Sequence, residues 1–188
     1  KIQLYMERSY RGTARQDKLS IFNLLHNKSM TNMVQASWNA DQNPNCNRCS
    51  DRAETFQHIF SCMSSDACKD FKKAKTTLIN DLRKANTAPL ITTSITILFE
   101  EYRKGYELEL RHNPFQTNDQ HDLVRETMQH QRDMGLEFII RGYVSSQWEV
   151  IQNIYLGVED YNTPATNWST KLIKSIWKFS ISMWSTRN

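Results

Sequence analysis

Glycine and proline are scarce: the 188 residues hold five of one and four of the other. A turn-rich all-β protein or a linker-like chain uses far more of both, so those classes are excluded. No run approaches the roughly 20 apolar residues needed to span a bilayer. No basic stretch followed by an apolar one marks a secretory leader. The start at Lys1 instead of Met leaves open that the chain is a piece of something longer. Aromatic residues, in contrast, are plentiful, with five Trp, seven Tyr and eight Phe. Together with a hydrophobic share of 39%, they can fill a sizeable core, which excludes wholesale disorder. The length fits one domain, or two small ones sharing a core.

Cysteine is also sparse, and its placement is informative. Cys46, Cys49, Cys62 and Cys68 all fall in one short stretch with His58 among them. A secreted scaffold spreads its cysteines to staple distant segments. Clustering around a histidine predicts a metal site in a reducing compartment, nucleus or cytoplasm, and not a secreted protein.

The net charge of +4 conceals a split. Residues 1–90 carry 14 Lys/Arg against 8 Asp/Glu, and residues 91–188 carry 10 against 12. The basic half is the half with the cysteines. Contact with phosphates is one reading of that coincidence, and an ordinary solvated surface is the other.

The periodicity predicts a mostly α protein, a helical bundle with a small zinc knuckle joined to a helix. Leu19, Ile21, Phe22, Leu24 and Leu25 suit a helix over 16–27, and a second short one is expected over 30–39. Residues 41–45 have loop chemistry. Short and long helices are expected over 54–62 and 65–86. Pro89 suits the first turn of the next helix. The β-branched run Thr92, Thr93, Thr96 and Ile97 keeps a strand as an alternative there. Residues 111–119, with Pro114 and Asn118, form the best interruption. They divide the chain into a basic zinc-binding unit over 1–110 and a helical unit over 120–188. Residues 120–156 read as one long or two consecutive helices, with Gly135 and Gly142 as weak or close-packing points. After a loop over 157–164, Trp168, Leu172, Ile173, Ile176, Trp177, Phe179, Met183 and Trp184 form the apolar stripe of a last helix. Base stacking on these rings is possible, but helical spacing favours a core.

The strongest chemical signal is Cys46-x2-Cys49-x8-His58-x3-Cys62. Zn²⁺ takes four soft or borderline donors in a tetrahedron. A Cys-x2-Cys pair can turn both sulfurs to one point, and residues four apart share a helix face. A loop pair and a helix pair therefore converge. A complete set of four protein ligands leaves no open position, so this zinc is expected to be structural. Cys68 reads as a bystander, or as a replacement for Cys62. Three thiolates and one imidazole around Zn²⁺ leave a charge of −1. Arg48 and Arg52, beside the knuckle, either offset it or point outward to a phosphate.

The run Cys-x2-Cys, Glu54-Thr55, then His-Ile-Phe-x-Cys resembles the zinc-binding region that follows the polymerase in non-long-terminal-repeat retroelement reverse transcriptases. The preceding Leu24-Leu25-His26 and Trp38 fit that layout. So do Met134 to Gly142 followed by Trp148, and the closing Trp177 and Trp184-Ser185-Thr186-Arg187-Asn188. The resemblance implies Cys46, Cys49, His58 and Cys62 as ligands, no catalytic residue, and a role in holding nucleic acid. It departs from the family in lacking a Tyr-x-Asp-Asp motif, and residues 1–45 are too short for a polymerase palm. The chain would then be the C-terminal part of such an element or a domesticated derivative of one.

Other chemistry is thin. Asp119, Asp122 and Glu126, with His121 adjacent, are candidates for two-metal phosphoryl transfer, but also suit a helix N-terminus. No Gly-rich phosphate loop or nucleophile elbow occurs. Lys69, Lys72 and Lys73 make a helical stripe that can lie along a phosphate backbone, or simply face solvent. The expectation is a non-catalytic, zinc-stabilised module that binds RNA or DNA and no membrane. A structural or interaction subunit of a larger assembly is the alternative, and a nuclease is the third reading.

Overall fold

A computed structural model describes residues 15–26, 28–110, 118–158 and 166–187. Among them are nine helices, α1 Arg15–Leu25, α2 Asn32–Ala36, α3 Phe56–Ser61, α4 Ser65–Lys84, α5 Pro89–Lys104, α6 Asn118–Met134, α7 Leu136–Ile140, α8 Gln147–Leu156 and α9 Thr166–Ser185. The mostly α expectation holds. The sole β feature of the described residues is an isolated antiparallel bridge between Asn45 and Ala53. None of the described helices is long and apolar enough to cross a membrane.

The two longest helices, α4 and α9, form the centre. They run antiparallel: Phe71 meets Phe179 edge-on at 5.6 Å, Lys178 pairs with Asp81, and Trp168 Nε1 donates to Thr87 Oγ1 at 3.0 Å. Ser64 caps α4, accepting from the N–H of Ala67. Phe71, Ala74, Leu78 and Leu82 bury its inner face. On α9 the expected stripe is buried from Trp168 to Met183, which makes these rings core and not a platform for bases.

Helix α5 settles the strand alternative. Ile91, Ile95, Leu98, Phe99 and Tyr102 recur at helical spacing and are all buried. The threonines adapt to this frame: Thr92 and Thr93 return their hydroxyls to the carbonyls of Ala88 and Pro89. Gly105, at φ 77°, ends the helix in the left-handed region.

The 120–156 stretch is three helices, where one or two were expected. Gly135 at φ 99° and Gly142 at φ 91° break it twice. Gly142 is also a close-packing point. A Cβ there would sit 2.5 Å from Trp177 Nε1, which donates to the carbonyl of Arg141 at 2.8 Å. Strain and overpacking act together, so Gly142→Ala is expected to cost about 2–5 kcal/mol. Thermal melting checks this, as a fall of several degrees.

Residues 111–117 lie outside the described residues, as does most of the 157–164 loop. Helices from both sides of the 111–119 stretch supply one buried cluster, in which Phe71, Leu78 and Phe99 join Ile139, Trp148, Ile176 and Trp177.

Candidate metal centre

The knuckle folds as a tight return. Cys46 N donates to Arg52 O at 2.8 Å, Ser50 N to Cys46 O at 2.8 Å, and Glu54 N to Pro44 O at 2.8 Å. Ser50 turns the chain at φ 56°. Thr55 then caps α3, accepting from His58 N at 3.0 Å. This places His58 in the first turn of α3 and Cys62 immediately after its end. Cys62 is extended, not helical as expected, and still bonds its N–H to His58 O at 2.7 Å. That bond keeps the two side chains on one side.

The donor atoms of Cys46, Cys49, His58 and Cys62 all lie within 4.8 Å of one another. Cys49 Sγ is 3.3 Å from His58 Nε2. Donors about 2.0–2.3 Å from a central ion, at tetrahedral angles, sit close to such separations. The four residues are therefore placed to hold a metal ion. Among the described residues no other group gathers in this way, so Asp119, Asp122, His121 and Glu126 build no such site.

The electrostatics divide the ligands, easing Cys49 and His58 toward their ligating forms and holding Cys46 back. Burial raises the Cys46 thiol, and nearby Cys62 and Cys49 raise it further. Burial raises Cys49 too, but the backbone N–H groups of Asp51 and Arg52 and bonds with Cys46 and Cys62 outweigh it, leaving a net lowering. His58 is lowered from 6.5, first by burial and then by Arg52. A histidine held neutral in the folded state contributes its stability above pH 6.5. That stability is lost as the pH falls from 6.5 through the lower folded value. Protons also compete directly for metal ligands. Metal retention, followed by elemental analysis after dialysis, is thus expected to decline as the pH falls through this range.

The surroundings fasten the knuckle to the helices. Arg48 points inward, with its side chain 9% exposed; it bonds Asp70 of α4 at 2.8 Å and the carbonyl of Thr186 beyond α9. The expectation of an outward phosphate contact falls for Arg48, because these partners bury its guanidinium. Arg52 is exposed beside Asp51. Cys68 is not in the cluster: its Sγ faces Arg103 Nη2 at 3.1 Å. The same nitrogen donates to Cys62 O at 3.1 Å, and the guanidinium lies 4.4 Å from the Phe71 ring centroid.

Two residues essential to this mounting carry no local signal of their role. Glu54 is fully buried and accepts from Asn32 N at 3.0 Å and from Arg187 Nη1 at 2.5 Å. Arg187 also donates to Met30 O at 3.1 Å and stacks 3.8 Å over Trp184. A contact spanning 133 residues leaves no periodicity to read.

The stripe residues Lys69, Lys72 and Lys73 are all exposed on α4. Lys69 pairs with Asp66 at 3.2 Å. Comparison with protein-family models, curated proteins and solved structures returns no match.

Proposed function

We propose that the chain is a non-catalytic, zinc-stabilised module that binds nucleic acid through phosphate contacts, in a reducing compartment. Three thiolates and an imidazole form a soft tetrahedral set, which suits zinc over the harder cations. All four positions are protein-filled, so the ion's work is structural. The observation that carries the nucleic-acid reading is the exposed Lys69, Lys72 and Lys73 face of α4. It lies on the helix that anchors the knuckle through Asp70. The sequence resemblance to the region after a retroelement reverse transcriptase points the same way.

Phosphate contact of this kind is salt-dependent and weakly sequence-specific. Replacing Lys69, Lys72 and Lys73 by Glu is expected to weaken binding to any sequence by at least tenfold at low salt. It should also flatten the dependence on salt by about one log unit per contact removed. Unchanged affinity in a titration of labelled duplex would remove this face from the interface.

A second reading, an interaction subunit of a larger assembly, is favoured by exposed apolar side chains. Trp38 is 73% exposed near the knuckle, and Val150, Ile154 and Tyr155 project from α8. That reading expects protein partners and no retention of RNA or DNA.

A further inference from the structure

Charge along the chain assigns α9 to the acidic half, but the fold moves it. Its 20 residues carry Lys171, Lys174 and Lys178 and no carboxylate. It lies against α4, which carries Lys69, Lys72, Lys73, Lys75, Arg83 and Lys84. The three carboxylates of α4 are already engaged: Asp66 with Lys69, Asp70 with Arg48, and Asp81 with Lys178. Lys75 is held by Glu100 of α5. Lys72, Lys73, Arg83, Lys84, Lys171 and Lys174 have no carboxylate within ion-pair distance among the described residues.

Four of these cations, Lys73, Lys84, Lys171 and Lys174, share one surface. The Lys178–Asp81 bond, 2.8 Å, bridges the seam between the helices on its solvent side. Helical periodicity carries that side to Lys174 and Lys171 on α9, and to Lys73 and Lys84 on α4. From Lys69 to Lys84 the surface is about 22 Å long, at 1.5 Å per residue. The two rows stand about 8–10 Å apart, one helix spacing. On the far side of α5, α6 carries Asp119, Asp122, Glu126 and Asp133 against Arg125 and Arg132. The molecule is thus electrically polarised across its core, which orients an approaching polyanion toward the α4/α9 face.

We propose that α4 and α9 together form the nucleic-acid surface, and that Lys171 and Lys174 contact phosphates as directly as the α4 lysines do. The partner is a duplex. Two cationic rows at this spacing suit the two backbones bordering a groove, which is about 6–12 Å wide in B-DNA. The groups argued here are lysine ammoniums, which meet phosphates as point charges, so the contact is to the backbone. This rests on the nucleic-acid reading above and extends it to a helix that reading did not include.

The test is a salt titration of fluorescence polarisation with short labelled duplex DNA, duplex RNA and single-stranded DNA. It compares the natural chain, Lys171→Gln with Lys174→Gln, and the Lys69, Lys72, Lys73 to Glu variant. The α9 double variant lacks no ion pair, so its melting temperature should not move. Its affinity for duplex should fall severalfold or more, and its log–log salt slope should shrink by about 1.8, or 0.9 per contact. The two duplex arms identify which backbone is preferred. If the double variant binds like the natural chain while the α4 variant does not, the α9 surface is wrong and the nucleic-acid reading stands. If the natural chain binds no nucleic acid at low salt, both are wrong. Equal affinity for the single strand would overturn the two-row arrangement. Displacement by polyglutamate as effective as by duplex, at equal charge, would overturn the phosphodiester class.

Discussion

Removing the metal with a chelator is expected to unfold the knuckle and to lower the melting temperature of the whole chain. Structural zinc in small sites contributes about 10–16 kcal/mol of apparent binding energy. A native domain has only about 5–15 kcal/mol of net stability. The connection to the core is short. His58 lies on α3 beside Ile59 and Phe60, which are both buried. Phe60 packs against Tyr102 at 5.8 Å and against Phe179 at 6.3 Å. Loss of the ion frees three thiolates to repel one another or protonate beside that helix. Cys62→Ser should purify with little or no metal and melt well below the natural chain. Cys68→Ser should keep its metal, because Cys68 Sγ is committed to Arg103 and lies outside the cluster. Far-ultraviolet circular dichroism with elemental analysis follows both. A Cys62→Ser protein with full metal and an unchanged melting curve would remove Cys62 from the site.

Arg187→Ala is expected to cost about 3–5 kcal/mol, the range for removing one partner of a buried ion pair. For a chain of this size that corresponds to a fall in melting temperature of roughly 6–20 °C. The cost arises from what remains. Glu54 keeps a buried carboxylate, 1% exposed, with one oxygen already lacking a partner. Arg187 also ties the end of α9 to the Met30 carbonyl, so its loss loosens the knuckle from the helices. Glu54→Gln combined with Arg187→Met should cost less than Arg187→Ala alone, because no uncompensated charge stays inside. Equal costs would mean that packing, not charge, dominates. An unchanged melting temperature in Arg187→Ala would show that the pair contributes nothing.

Local chemistry made much of this fold legible. The α4, α5 and α9 stripes are periodic, and Pro89 sits at a helix start where its chemistry predicts. The candidate metal cluster follows largely from spacing, because a loop pair and a pair four residues apart have few other ways to converge; Cys68 stayed an alternative to Cys62 until the structure placed it outside the group. What escaped depends on distance along the chain. Whether β-branched Thr92 and Thr93 lie in a helix was decided by the burial of Ile91, Ile95 and Leu98. Two glycines at positive φ, not composition, divided 118–156 into three helices. Spacing left Arg48 free either to offset the thiolates or to reach outward, because its partners Asp70 and Thr186 lie 22 and 138 residues away. The same holds for α9: a lysine face inside an acidic half becomes part of a basic surface only when α4 is beside it.

Metal content of the purified chain, measured together with zinc identity by elemental analysis, addresses the metal centre most directly. About one zinc per chain is expected, falling to near zero in Cys49→Ser and in His58→Ala. No metal in the natural chain, or one zinc retained when Cys49 and His58 are both replaced, would contradict a zinc held by Cys46, Cys49, His58 and Cys62.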